Sequence, residues 1–371
     1  MIYRDVELYY EQTLDDVGTK IIELRTAEPI SAIRLDFKGT NGATSNKDNR
    51  LNDVITKIEL VDGSDHLLSL SLKEAQALEF RRTGKMPFIR VGESASGSNE
   101  EQVLLLFGRY LWDPEIYADL SKFRNPQLKI TTNIAAVRAA GVDGFLSGSL
   151  KVTIDLLVIE EGAAEAVGFM MAKKIYGFTS ATSGDERVEL PSDYPFVGLL
   201  LRAYTAGNDV DENISELKID CDMGKFIPID KHVKDIYKAE EQDIGPAELH
   251  YYIFRKNGET VTHDLNHDPI VALGPTFTDR IASVGYSWSS RFSLFLINSA
   301  GAAITAEELI QLIVKGSCPH STIHLPFGLR GDPATYFDPT KYVDIDLVLT
   351  QKAASTVSVV LEQLRAYKKA A

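Results

Sequence analysis

Residues 343–354 read VDIDLVLTQKAA, and residues 152–163 read VTIDLLVIEEGA. Val152 matches Val343, Ile154 matches Ile345, Asp155 matches Asp346, Leu156 matches Leu347 and Ala163 matches Ala354, at a separation of 191. One such pair is weak. Neighbouring segments that match in the same order would make the chain a tandem duplication and decide its architecture.

Residues 17–37, VGTKIIELRTAEPISAIRLDF, lie over 183–203, SGDERVELPSDYPFVGLLLRA. Gly18 meets Gly184, Glu23 and Leu24 meet Glu189 and Leu190, Pro29 meets Pro195, and Leu35 meets Leu201. Ile22, Ile30 and Ile33 meet Val188, Phe196 and Leu199. Shared alternation matters more than identity, because a period of two sends side chains to one face of a strand. Residues 54–71 lie over 213–230, pairing Ile55 with Ile214, Ile58 with Leu217, Leu60 with Ile219, Leu68 with Ile227 and Leu70 with Ile229. Both stretches carry Asp and Gly between two alternating runs, which is hairpin chemistry.

VLLLF (103–107) then lies over SLFLI (293–297). A short helix is expected in each copy: DPEIYADL (113–120), with Asp113 as N-cap and Pro114 in the first turn, and TAEELIQLI (305–313), with Thr305 and Glu308 as a capping box. Pro126 to Ile130 and Pro319 to Ile323 repeat Pro-x-x-x-Ile, and the copies close on AVGFMMAKKI (166–175) and VSVVLEQLRAY (357–367). Turn residues near 165–182 set the expected boundary, with one half at 1–171 and the other at 172–371. The second copy carries a long inserted loop at about 230–292, against 71–102 in the first. Surface loops tolerate such growth, since closure entropy rises slowly with length.

Many short strands with close turn signals indicate a sandwich, and the absence of long alternating helices disfavours a parallel α/β sheet. The expected fold class is all-β: two tandem eight-stranded jelly-roll β-sandwiches, each with a short helix. The length of 371 residues suits two domains, and 44% apolar with 25% charged residues is ordinary globular usage. A net charge of −14 without a basic block argues against specific nucleic-acid binding. Two cysteines, Cys221 and Cys318, leave a disulfide open but exclude a stapled secreted scaffold. The N-terminal stretch is acidic where a signal peptide is basic, and no apolar run approaches the ~20 residues that span a bilayer. A soluble protein of a cytoplasm-like compartment is expected.

LPFGLRGDPATYFDPTKYVDIDLVLTQ (325–351) and GATSNKDNRLNDVITKIELVDGSDHLLSLSLKEAQAL (42–78) resemble the closing and early segments of double jelly-roll major capsid proteins. The likeness is to those of tailless, membrane-containing icosahedral bacteriophages, in the PRD1-like/adenovirus-like lineage. That resemblance implies a homotrimer whose six sandwiches form a pseudo-hexagonal tile of an icosahedral virion, assembled in the host cytoplasm. It also implies penton and minor capsid proteins as partners, an underlying viral membrane, no catalysis, and an outward tower built from the 230–292 loop. Residues 1–12 are acidic rather than basic, which disfavours contact with anionic headgroups.

Tandem jelly rolls also serve enzymes. A bicupin needs His-x-His, and none occurs; copper monooxygenases need histidines in both halves, and the first holds only His66. Cys318, His320 and His324, and the pair His263 and His267, are metal-ligand types, but their spacings do not converge on a strand, and ordinary loop and strand positions are expected. A glycosidase needs two carboxylates about 5–10 Å apart. Asp155 and Asp346 instead suit the outward face of a strand. DVDEN (209–213) lacks the glycine and distal glutamate of an EF-hand and is expected to connect strands. There is no Gly-x-Ser-x-Gly elbow, Walker loop or dinucleotide fingerprint. Trp112, Trp288 and the fifteen tyrosines suit sheet packing more than sugar stacking. No catalytic, cofactor or metal residue is assigned. Two alternatives stand beside capsid assembly: a carbohydrate-binding or glycan-hydrolysing double β-sandwich, and a viral spike or receptor-binding protein that uses the 230–292 loop.

Overall fold

A computed structural model describes residues 2–24, 28–44, 46, 49–134, 144–162, 164–255, 259–262, 265–273, 280–288, 291–298, 300–303 and 308–367. Of these, 251–255, 259–262, 266–273, 280–288, 291–298 and 308–312 are described by backbone alone. The first half runs β1 (Ile2–Thr13), β2 (Val17–Glu23), β3 (Pro29–Thr40), α1 (Leu51–Val54), β4 (Ile55–Asp62), β5 (Asp65–Leu70), α2 (Leu72–Thr83), β6 (Ile89–Gly92), β7 (Ser98–Leu106), β8 (Ala118–Asp119), β9 (Pro126–Asn133) and β10 (Lys151–Glu161). The second runs β11 (Gly168–Thr179), β12 (Asp185–Glu189), β13 (Phe196–Tyr204), α3 (Val210–Asn213), β14 (Ile214–Cys221), β15 (Phe226–His232) and α4 (Val233–Ile244). It continues through β16 (Ala247–Arg255), β17 (Glu259–Thr262), β18 (Asn266–Leu273), β19 (Arg280–Trp288), β20 (Arg291–Asn298) and β21 (Glu308–Ser317) to β22 (Thr322–Pro326), β23 (Ile345–Gln351) and β24 (Thr356–Ala366).

Strand order shows the duplication. In the first half, one sheet has the order β1-β10-β3-β7 and the other β2-β9-β4-β5. In the second, the orders are β11-β24-β13-β22 and β12-β23-β14-β15. Counting only the eight strands of these two sheets in each half, without β6, β8 and β16 to β21, both read first-eighth-third-sixth and second-seventh-fourth-fifth, which is the jelly roll. The chain is therefore a double jelly roll, as expected. Alternation makes these strands: Ile33, Leu35 and Phe37 of β3 are buried while Arg34, Asp36 and Lys38 between them are half-buried. Leu199, Leu201 and Ala203 of β13 face the second core, while Leu200 between them is buried in the first.

Several expected correspondences are corrected. Residues 152–163 hold β10, an eighth strand, whereas 343–354 hold β23, a seventh. The true counterparts are β24 for β10 and β9 for β23, so the stretch that suggested duplication is not itself a repeat. The match misled because period-two strands with one outward acid look alike: Asp155 pairs with Arg34 at 3.3 Å and Asp346 with Arg187 at 3.2 Å, both across neighbouring strands. SLFLI (293–297) belongs to β20, which sits in a three-stranded sheet with β17 and β19; the counterpart of β7 is β22. Pro126 opens β9 while Pro319 leads into β22, and 166–175 enters β11, which pairs antiparallel with β24 rather than copying it.

Neither expected helix forms. After Asp113 the chain turns and Ala118 pairs with Ile30. Glu308 onward is the strand β21, flanked by β16 and β18, so sheet pairing overrides the local capping signal; Thr305 lies outside the described residues. Besides the single turns α1 and α3, each copy carries one longer helix, α2 or α4, of 12 residues and directly after a fifth strand. Ser71 caps α2 in a reciprocal box with Glu74, and Gly84 at φ 73° ends it. The insertion runs from α4 to β22, longer than the expected 230–292, and carries β16 to β21. β11 crosses the expected division at 171/172. We propose that the halves divide in the preceding connection, 162–167.

The halves do not fold as separate beads. β5 pairs parallel with β11 through Leu68 and Ala172, and β6 pairs parallel with β16 through Val91 and Tyr251. Phe169, Met171, Leu200 and Val360 of the second half are buried in the core cluster of the first. Each such side chain contributes roughly 1.5–3 kcal/mol of burial, an amount that sliding the halves apart would lose.

Candidate functional site

The sequence offered no catalytic cluster, and the structure places the chemistry-bearing side chains at the seam between the sandwiches. α2 delivers two arginines there. Arg82 Nε and Nη2 donate to Glu362 Oε2 on β24 at 3.1 and 2.7 Å, and its Nη1 donates to the Leu106 carbonyl at 2.5 Å. Arg81 Nη2 lies 3.1 Å from Glu240 on α4 and 3.2 Å from the Thr322 carbonyl. His324 joins the two pairs: its Nε2 is 2.8 Å from Glu362 Oε1, and its backbone N–H donates to Glu240 Oε1 at 3.0 Å.

Burial opposes ionisation of Glu362, yet Arg82 and His324 outweigh it and hold the carboxyl down at about 2. Burial pushes Glu240 up, with Arg81 in partial opposition. Gly198 makes room for this network, because a Cβ there would lie 2.3 Å from His324 Nε2. Other cross-seam bonds frame it. Ser358 donates to Glu74, Arg365 Nη1 to Asp65 at 3.0 Å, and the Asp119 N–H to the Tyr367 hydroxyl at 2.7 Å.

A repeat that sequence reading missed lies at the end of each sandwich opposite the insertion. Phe107-Gly108 … Asp113-Pro114-x-x-Tyr117-x-Asp119-x-x-Lys122 recurs as Phe327-Gly328 … Asp332-Pro333-x-x-Tyr336-x-Asp338-x-x-Lys341. Both stretches link the sixth and seventh strands. Asp119 and Asp338 each cap a 3-10 turn, accepting from Ser121 N and Thr340 N at 3.1 Å. The signal was a ten-residue pattern at a separation of 219. It was obscured because 113–120 read as a helix. The two loops meet across the seam, where Arg109 Nη1 donates to the Gly331 carbonyl at 3.3 Å.

The expected metal-type residues do not gather. Cys318 is fully buried in the core with its thiol pushed well up by burial, His320 is buried, and His324 is engaged by Glu362. His263, and the side chain of His267, lie outside the described residues. Among the described residues no group of three His, Cys, Asp or Glu could hold a metal ion. Cys221 and Cys318 are both free thiols. DVDEN forms the connection expected of it, with one helical turn, α3, capped by Asp209. The Trp112 ring stacks on Tyr3 at 4.3 Å, pinning β1. No described helix is long and apolar enough to cross a membrane.

No family model matches the chain. No curated protein matches it in sequence. Solved structures do match in fold over nearly the whole length. A chain from the atomic structure of Sulfolobus turreted icosahedral virus superposes with TM-score 0.61 at 12% identity, covering 99% of this chain and 92% of that one. The major capsid protein P2 of bacteriophage PM2 gives 0.54 at 10% identity, covering 99% of each chain. A chain of the PBCV-1 virus capsid gives 0.56 at 9% identity, covering 98% and 93%. The likeness extends across both sandwiches, and it agrees with the double jelly roll read from strand order.

Proposed function

We propose that the chain is a major capsid protein that self-assembles as homotrimers into pseudo-hexagonal capsomers of an icosahedral virion. The observation that carries this reading is the side-by-side docking of two sandwiches with one strand order. Three such chains present six similar walls, which is what a hexagonal lattice needs. The matched structures include a major capsid protein and a virus capsid, in agreement with assembly rather than catalysis as the role.

In this reading the insertion stands outward from one end and the two Asp-Pro loops face the interior at the other. Assembly takes place in the host cytoplasm. Penton and minor capsid proteins, and a membrane beneath the shell, are the further partners. Permanent subunit contacts bury about 2,000 Å² or more in total and resemble a divided core. Exposed apolar side chains such as Tyr10 at 66% and Ile21 at 54%, on strands at sheet edges, are available for that burial. The net charge of −14 keeps free capsomers soluble.

Light scattering on the size-exclusion peak, with negative-stain images of the same fraction, tests the reading. A mass of three chains imaged as hexagonal tiles is expected. A chain that stays monomeric at micromolar concentration would overturn it.

A further inference from the structure

The seam holds a pocket of about 300 Å³, at the small end of the range that takes organic ligands. It opens between the starts of the two repeated loops, Gly108-Arg109 and Gly328-Leu329-Arg330. Four arginines line it. Three have carboxylates: Arg81 has Glu240, Arg82 has Glu362, and Arg109 has Asp113 at 2.6 Å. Arg330 has none within ion-pair distance among the described residues. It donates through Nη1 to the Arg81 carbonyl at 3.0 Å, which leaves Nε and Nη2 for a ligand. Asp243, the one lining carboxylate outside these pairs, is solvent-exposed.

We propose that this pocket binds a medium-chain aliphatic carboxylate, its head on Arg330 and its chain against Met170, Val197, Ile244 and Leu329. Nε and Nη2 of one guanidinium form the fork that a carboxylate meets with two parallel hydrogen bonds. The four apolar residues supply a wall that a bare inorganic anion would not use. Desolvation and the neighbouring Arg82 charge push Arg330 down to about 10, with Glu362 in partial opposition, while part of the residue stays exposed to solvent. Leu329, 68% exposed, sits where an entering chain would cover it. These contacts all come from the second sandwich, while Arg81, Arg82, Gly108 and Arg109 of the first line the facing side of the pocket.

Titration calorimetry of the full chain with octanoate at pH 7.5 tests this, beside 1-octanol and inorganic phosphate. Saturable binding of one octanoate per chain is expected. Arg330→Ala should weaken it by about tenfold or more, the scale of a lost charge-assisted hydrogen bond. Arg330→Lys should retain part of the affinity, and Leu329→Ser should weaken it several-fold. Octanol should bind about tenfold more weakly or worse, for want of the same bond. Absence of saturable binding, equal binding by phosphate, or octanoate affinity unchanged in both Arg330→Ala and Leu329→Ser would overturn the proposal. Should Arg330→Ala fail to fold by circular dichroism, Leu329→Ser and the octanol comparison decide alone. The pocket lies within one chain, so the outcome does not depend on the assembly state.

Discussion

Arg82 and Glu362 lie 280 positions apart in sequence and 2.7 Å apart in space, one on each sandwich. Both are almost fully buried, with side-chain exposures of 9% and 3%. A buried pair of this kind adds little net stability over an apolar one, but removing one partner strands the other's charge.

Arg82→Ala should therefore cost about 3–5 kcal/mol in urea unfolding, because Glu362 loses its guanidinium in a dry site. The double change Arg82→Met with Glu362→Leu should recover most of that loss. If the double variant is as unstable as Arg82→Ala, packing rather than stranded charge is the cause.

Two buried carboxyls give opposite pH dependences. Burial raises Glu101 to about 7, with the Gln76 amide in partial opposition, from an ordinary 4.5. Its folded pKa is raised, so its stabilisation is complete below 4.5 and is lost as pH rises to about 7. Glu101→Gln should stabilise the protein by up to about 3 kcal/mol at pH 8, and hardly at all at pH 4.5. Glu362 is depressed, so its contribution is present above 4.5 and is lost as pH falls toward 2. Glu362→Gln should flatten that acid limb. Denaturant titrations at three pH values check both; equal effects of Glu101→Gln at pH 4.5 and pH 8 would refute the first.

Much of the fold was legible, but unevenly. The second to fourth strands of each copy align as expected, because buried alternation fixes their register. The fifth is two residues out: Leu60 pairs with Leu68, whereas Ile219 pairs with Ile229, not Ile227, and the second copy's fifth strand is largely exposed. The eighth and seventh strands were confused because one outward acid on an alternating strand carries no positional information. SLKEAQALEFRRTG (71–84) had a capping box and a terminal glycine, yet it lay inside a stretch counted as insertion. The seam was not legible at all. Arg81, Arg82, His324 and Glu362 come together only through the docking of two sandwiches, and no local period encodes that docking.

Helix α2 positions both seam arginines, so its caps should matter beyond their size. Ser71→Ala removes the acceptor for the Glu74 N–H and should cost about 1 kcal/mol. Gly84 sits at φ 73°, and Gly84→Val should cost about 1–2 kcal/mol through left-handed strain. Thermal melts check the loss. Hydrogen exchange should localise it to 72–83 with the β-sheets unaffected, and uniform loss of protection would contradict a cap effect.

The repeated Asp-Pro loops allow a sharper test, because one motif position has two environments. Asp113 has no exposed side-chain surface; it binds Arg109 through both oxygens at 2.6 and 2.7 Å and accepts the backbone N–H groups of Glu115 and Ile116. Burial opposes its charge, but Arg109 and these N–H groups hold its carboxyl below the usual range. Asp332, its counterpart, is exposed and accepts one N–H, from Ala334, at 3.1 Å. Asp113→Asn keeps the size but removes the charge facing the half-buried Arg109, which retains Glu115 at 2.8 Å, and should cost about 1.5–3 kcal/mol, the scale of a hydrogen bond to a charged group. Asp332→Asn should cost under about 1 kcal/mol, since Asn caps such turns nearly as well. Urea unfolding of the two single variants and the double decides. Equal losses would mean that sequence motif, not environment, sets the energetics of the repeat.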